Sequence, residues 1–381
     1  MAVYWLVSLA PIVVDAVCKV FCPIKMRRKA LYITMFTIFA VFFALRAPTV
    51  GYDTQYYINR YEVLYKYGIT RFQEIYSSEQ GFTLFTLLLT RIFGSKYQYM
   101  FLISGAFIMF SYGKFLYNHS RADVLTIVLF ALTLFPRSLN ILRTEIAVAI
   151  CLFAIDEALN GKIKRAVFIV ILASTFHLSS LLYLPFIIIS NPNNHISNKK
   201  RIYVLCGIIF GTSIFWNAII SNISLFNRYS VYIGEEAYYS YKISSITLYL
   251  FYISFFVIGL ITEGRIQGRI TASDNNLSFD DKERRDFDIL FFLYLIFFLG
   301  VLVSQFVWIL SRITDVFYIG YVSFIPIACD LFFSKVTKNK TSKIVELFVM
   351  ILMFYIGIRA IQSNIAGCFP YEIVNIREAF F

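Results

Sequence analysis

Chemistry in this chain is to be sought where charged and titratable side chains interrupt apolar sequence. Arg143 opens the apolar run TEIAVAICLFAI, a basic turn at Lys162, Lys164 and Arg165 follows it, and a lone His177 stands inside the next apolar stretch. An arginine at mid-helix in hydrocarbon costs about 2.5–3.5 kcal/mol on insertion scales, so such groups face a polar cavity or a partner. Arg143 has two readings, a helix-end side chain snorkelling to water or a ligand for an anion. His177 follows a break at Thr175-Phe176 and precedes Ser179 and Ser180. It reads as a satisfied core residue or as a proton acceptor. Ala147, Cys151, Ala154 and Ala158 recur at i, i+4, i+7 and i+11, lining one helix face and letting a neighbour approach closely. This pair of segments is expected to form one wall of a polar site.

Two tyrosine-rich stretches hold the other candidates. Arg46-Ala-Pro-Thr-Val-Gly51-Tyr-Asp53-Thr-Gln-Tyr56-Tyr57 places a Pro-x-x-Gly turn after an arginine, then an acid and a tyrosine pair. A guanidinium matches phosphate oxygens bidentately, and tyrosine rings offer flat apolar surfaces to sugars. The competing reading is a snorkelling Arg46 beside an N-capping Asp53. Asn227-Arg228-Tyr229 belongs to the second stretch, which otherwise reads as an interfacial aromatic belt. Arg312 and Asp315 stand at i, i+3 and can pair with one another. Several arginines converging on one outer cavity would suit a substrate bearing a diphosphate, with His177 and then Asp53 as candidate bases. No P-loop, Gly-rich dinucleotide turn or GxSxG elbow is present, and the six cysteines have no metal-ligand spacing, so neither a cofactor nor a metal is expected.

The elements that must position these residues are membrane helices. The chain of 381 residues is 59% hydrophobic and 15% charged, with a mean hydropathy of +0.69, against about 25% charged in a soluble domain. Apolar runs near or above 18 residues recur without period-2 alternation, which predicts an all-α polytopic membrane protein in one integral domain. Spans are expected over 3–22, 30–48, 97–117, 122–136, 139–160, 202–221, 245–263, 288–309, 312–333 and 344–366. The stretches 80–94 and 166–190 bring the count to twelve if they cross, or leave ten if they dip in and return. The net charge of +12 lies mostly in short clusters at segment ends, Lys25, Arg27, Arg28 and Lys29 being the densest. That is the pattern of cytoplasmic turns rather than of nucleic-acid binding. It leaves the tyrosine-rich loops 49–79 and 222–244 outside, the first with helices lying at the interface, and the charged connector 264–287 inside. No internal repeat is evident, which counts against a secondary transporter.

The ordered motifs Arg46…Gly51-x-Asp53-Thr54…Tyr57, Glu79-x-Gly81-Phe82, Arg143-x-x-x-Ala147 with its following Leu-Phe-Ala, Phe176-His177-x-Ser179, Phe226-Asn-Arg228-Tyr229 and Arg312-Ile…Tyr318 resemble the EpsG family of exopolysaccharide polymerases, related to Wzy-type polymerases. The similarity spans roughly residues 46–320. It departs at one point, where Thr144-Glu145 stands in place of the usual glutamine after the arginine. The resemblance implies a GT-C-like glycosyltransferase fold and a lipid-linked substrate. Undecaprenyl-diphosphate-linked oligosaccharide repeats would be joined, with inversion, at the outer face of a bacterial plasma (inner) membrane. Arg143 and Arg312, assisted by Arg46 or Arg228, would hold the diphosphate. Tyr57, Glu79, Tyr229 and Tyr318 would contact glycan. The lipid bilayer, and a chain-length regulator, are the partners it implies. A flippase for lipid-linked oligosaccharides and another glycan-modifying transferase are the alternatives.

Overall fold

A computed structural model describes residues 1–76, 79–189, 246–272, 281–304, 311–332, 342–364 and 366–380. Within these, side chains are described except at 246–247, 265–272, 281–283, 312 and 342. The expected span 202–221 and loop 222–244 lie outside the described residues. The chain divides into two compact units, Met1–Ile188 with Lys343–Phe381, and Ile189–Ser342.

In the first unit α1 (Ala2–Phe21) turns back at Cys22-Pro23 into α2 (Ile24–Leu45). Then come α3 (Thr54–Ile75), kinked at Gly68, and α4 (Gln80–Phe93). The helix α5 (Gln98–His119) lies against α2. Next are α6 (Asp123–Leu129), a π segment Phe130–Leu134 and α7 (Phe135–Ser138). The expected span 122–136 is thus interrupted, because Pro136 has no N–H for the α ladder and the widened turn sits just ahead of it. The π segment is also where rings interlock, Phe130 lying 4.9 and 5.1 Å from Phe36 and Phe39 of α2.

The helix α8 (Leu142–Leu159) follows, then α9 (Ile163–Ser174), a 3-10 turn Leu178–Leu182 and α10 (Tyr183–Ile189). Ala147, Cys151, Ala154 and Ala158 are all buried, and α8 packs on α5 and α9, as the small-residue stripe requires. The break expected at His177 is present: α9 stops at Ser174, and His177 is extended with φ −156° and ψ 123°. The 14 residues of α4 make only about 21 Å of helix, short of a hydrocarbon core of about 30 Å.

The second unit holds α11 (Ile246–Ala272), α12 (Asp281–Ser304) and α13 (Ser311–Asp330). Helix takes in 264–272 and 281–287 of the stretch expected as a connector. Charge alone does not stop a helix once no Gly or Pro pair breaks it. The Tyr294 hydroxyl donates to the Tyr252 carbonyl at 2.7 Å, and Tyr318 packs on Phe297 with ring centroids 5.1 Å apart. The chain returns to the first unit through α14 (Ser342–Gln362) and a short α15 (Ile376–Phe380).

Six helices among the described residues are long and apolar enough to cross a membrane: Ala2–Phe21, Ile24–Leu45, Gln98–His119, Arg284–Ser304, Ile313–Asp330 and Lys343–Gln362. With no strand among the described elements, this is the all-α polytopic membrane protein that composition predicts.

One feature of the first unit was not readable from hydropathy. The segment after α14 folds back over the loop that follows α2. Ala47 N–H donates to the Glu372 carbonyl, Val374 N–H to Leu45, and Gly51 N–H to Gly367 at 2.8 Å. Gly51 has φ +93°, and a Cβ there would lie 2.8 Å from the Leu139 carbonyl oxygen. Gly51→Ala is therefore expected to destabilise the purified protein by about 1–3 kcal/mol, read as a lowered melting temperature in detergent. An unchanged melting temperature would show that this turn can re-form with a side chain in it.

Candidate active site

Three elements of the first unit meet around one carboxylate. Glu79 immediately precedes α4, Arg143 is the second residue of α8, and His177 lies in the extended break after α9. Arg143 Nη1 donates to Glu79 Oε2 at 2.7 Å, and His177 Nδ1 lies 3.3 Å from Glu79 Oε1. The two carboxylate oxygens are thus divided between a guanidinium and an imidazole. All three side chains keep 13–21% exposure, enough for a ligand to reach them. Burial alone would push Glu79 up, but the adjacent His177 imidazole and the charge of Arg143 prevail and hold it at about 2. The group is an anion at any physiological pH.

The backbone fixes this meeting. Gly81 N–H donates to the Thr175 carbonyl at 2.9 Å, tying the start of α4 to the end of α9 two residues from each acidic or basic partner. On the other side Asp53 N–H donates to Asn140 Oδ1 at 2.9 Å, tying the first loop to the turn before α8. Asp53 occupies the N-cap position of α3, yet its side chain makes no capping bond. Tyr57, one turn into α3, is buried and within hydrogen-bond reach of Arg143. Burial raises its pKa, Arg143 opposes that, and the nearby Asp53 charge adds to it. The structure thus brings together Asp53, Tyr57, Glu79, Arg143 and His177, drawn from four separate stretches of sequence.

Sequence reasoning missed Arg60. It is 1% exposed, donates from Nη1 to the Tyr56 hydroxyl at 2.7 Å, and lies 5.0–5.9 Å from the ring centroids of Tyr56, Phe72, Tyr76 and Phe82. Its Nε and Nη2 have no hydrogen-bond partner among the described residues. Burial lowers its pKa, Tyr56 opposes this, and the neighbouring Arg143 charge lowers it further. The signal was present in the spacing: Tyr56, Tyr57 and Arg60 stand at i, i+1 and i+4 of one helix and share a face.

Arg46 does not snorkel. It is fully buried, with its guanidinium 4.2 and 4.1 Å from the Phe43 and Phe101 ring centroids. None of its three guanidinium nitrogens finds an acceptor among the described residues, and burial pulls its pKa to about 10. Its backbone is pinned by the returning C-terminal segment at Ile373 and by Gln98 Nε2, which donates to the Arg46 carbonyl at 3.1 Å. Glu145, where the motif departs from its usual pattern, turns away from the cluster. It is buried and accepts from the Tyr112 hydroxyl at 2.6 Å, joining α8 to α5. Arg228 and Tyr229 lie outside the described residues, as does the side chain of Arg312, whose backbone opens α13.

A polytopic helical membrane protein with a shared Arg–Glu–His ion cluster at the mouth of its helices is the class that this fold and site define. The profile of the EpsG family matches residues 29–373, and the chain belongs to the EpsG family. It is accordingly a membrane protein of the Wzy-like polysaccharide polymerase type. Neither a curated protein nor a solved structure matches it.

Proposed function

We propose that the chain joins polysaccharide repeat units, moving a growing glycan from one undecaprenyl diphosphate carrier onto the non-reducing end of the next lipid-linked repeat. The observation that carries this reading is the single Glu79 carboxylate held between Arg143 and His177. A diphosphate is already a good leaving group, so catalysis needs a cation at its developing charge and a base at the attacking hydroxyl. Arg143 supplies the first. His177 supplies the second: Nδ1 faces Glu79 at 3.3 Å, and with its proton on that side the ring leaves Nε2 to accept one.

The acceptor hydroxyl oxygen bonds to the anomeric carbon as the carbon–oxygen bond to the diphosphate breaks. The hydroxyl proton passes to His177 Nε2, and the lipid diphosphate leaves with the bonding electrons. One displacement inverts the anomeric centre. In this reading Glu79 organises the catalytic pair rather than contacting glycan. Tyr57 is the proposed glycan contact of this unit, and Asp53 its second candidate base. Arg46, enclosed by rings, supports the loop that carries Asp53 and Tyr57.

The proposed site faces outward, away from the cytoplasm, in the bacterial plasma membrane. The basic turn 162–165 and the cluster 25–29 belong inside by the positive-inside rule. Arg143 lies at the opposite end of the 18-residue α8 from that turn, about 27 Å away.

The test is glycan length in a strain lacking the gene, complemented with wild type or His177→Gln at matched protein levels. Wild type is expected to restore a ladder, and His177→Gln to leave mainly single repeats, since loss of a positioned base costs roughly 10²–10⁴ in rate. Long chains persisting in the deletion strain would remove the polymerase reading. Repeats accumulating on the cytoplasmic face would replace it with a translocator.

A further inference from the structure

The ion cluster contains more cationic capacity than its own carboxylate uses. Arg143 and Arg60 flank one ring, that of Tyr56, with guanidinium carbons 6.0 and 5.2 Å from its centroid. Arg143 is engaged by Glu79. Arg60, buried and with two nitrogens lacking any acceptor among the described residues, has the Tyr56 hydroxyl as its hydrogen-bond partner and rings around it. A guanidinium so enclosed has lost its water while the Glu79 charge reaches it without a hydrogen bond, so an anion arriving beside Arg143 can supply the acceptors it lacks. Tyr56 lies against both: it is 40% exposed while Arg60 is 1% exposed, so it is the ring through which solvent borders the pair.

We propose that Arg60 and Arg143 form a two-arginine clamp for a diphosphate, and that Glu79 is its resident competitor, displaced from Arg143 when the diphosphate enters. This rests on reading the Glu79 cluster as the diphosphate end of the polymerase site. A lipid-linked diphosphate brings two negative charges and several acceptor oxygens against one carboxylate. It can hydrogen-bond both forks at once, whereas Glu79 bonds Arg143 and reaches Arg60 through charge alone. Displacement frees Glu79 Oε2 but leaves Oε1 against His177 Nδ1. The carboxylate then serves His177 alone and steadies the imidazolium formed as Nε2 takes the proton. Entry of the donor diphosphate thereby arms the base.

The consequence is an opposed effect of a single substitution. Glu79→Gln removes the competing charge but also the partner of His177. In the purified full-length protein, calorimetric titration with inorganic pyrophosphate is expected to show binding about tenfold tighter in Glu79→Gln than in wild type, while polymerisation falls. Adding Arg60→Gln to Glu79→Gln is expected to take that affinity back by about tenfold, and Arg60→Lys to retain part of it. A residue that only supported the fold would weaken binding and turnover together. The clamp is overturned if Glu79→Gln binds pyrophosphate no more tightly than wild type, or if Arg60→Gln leaves affinity unchanged in a protein with an unaltered size-exclusion profile. Pyrophosphate binding with this pattern but no effect of the gene on glycan length keeps the clamp and removes the polymerase. A length-determining protein without the pattern keeps the polymerase and removes the clamp.

Discussion

Arg143→Gln is expected to lower polymerisation roughly a thousandfold, leaving single repeats where wild type makes long chains. Glutamine keeps the length and some hydrogen-bonding capacity of the side chain but not its charge. The change therefore isolates the electrostatic contribution to the leaving diphosphate, which for a preorganised group is worth about 10²–10⁵ in turnover. The ground state is affected too. Glu79 loses the donor at 2.7 Å but keeps His177 at 3.3 Å, so its carboxylate is left half-paired rather than stranded. Removing one member of a buried pair costs about 3–5 kcal/mol when nothing else compensates; here His177 remains at 3.3 Å and the exposure of the cluster lets water in. Arg143→Lys serves as the control for folding and charge. It keeps the charge without the planar fork and is expected to fall between glutamine and wild type. Long chains from Arg143→Gln at matched membrane levels would place the diphosphate elsewhere.

The sequence made some of this legible and hid the rest for identifiable reasons. Apolar runs report burial in lipid, and so the polytopic helical fold and the break at His177 could be read from composition and the interruption at Thr175-Phe176-His177. Arg143 and His177 stood out because each is costly where it sits. Glu79 did not stand out from chemistry alone, since a carboxylate before a short amphipathic helix is an ordinary N-terminal residue. Its importance is a tertiary fact, created by two partners 64 and 98 positions further along. Arg60 was hidden by its surroundings, a tyrosine-rich stretch that also fits an interfacial belt. Arg46 misled in the opposite direction. At a helix end a snorkelling arginine is the default expectation, and nothing local reveals that residues 366–374 come back to close the loop over it. Long-range closure of this kind leaves no periodicity to detect.

The second large effect is expected from a residue with no functional group. A Cβ added to Gly81 would lie 2.2 Å from Thr175 Oγ1 and 2.9 Å from the Thr175 carbonyl carbon. The first contact can be relieved by turning a side chain; the second is backbone and cannot. Gly81→Ala must therefore part the start of α4 from the end of α9, at the cost of the Gly81–Thr175 hydrogen bond. Glu79 and His177 lie two residues to either side of that bond, so parting it by even about 1 Å opens their contact, and a misplacement of that size costs on the order of 10²-fold in rate. The core packing of α2 against α5 is made elsewhere in the unit. Gly81→Ala is thus expected to insert and purify normally while polymerising about a hundredfold more slowly. Chain length in the complemented deletion strain, beside the melting temperature of the purified variant, separates the outcomes. Slow polymerisation at a near-wild-type melting temperature means that Gly81 acts through the placing of Glu79 against His177. Unimpaired polymerisation would mean that the site tolerates their separation, and that the Glu79–His177 contact is not part of the chemistry.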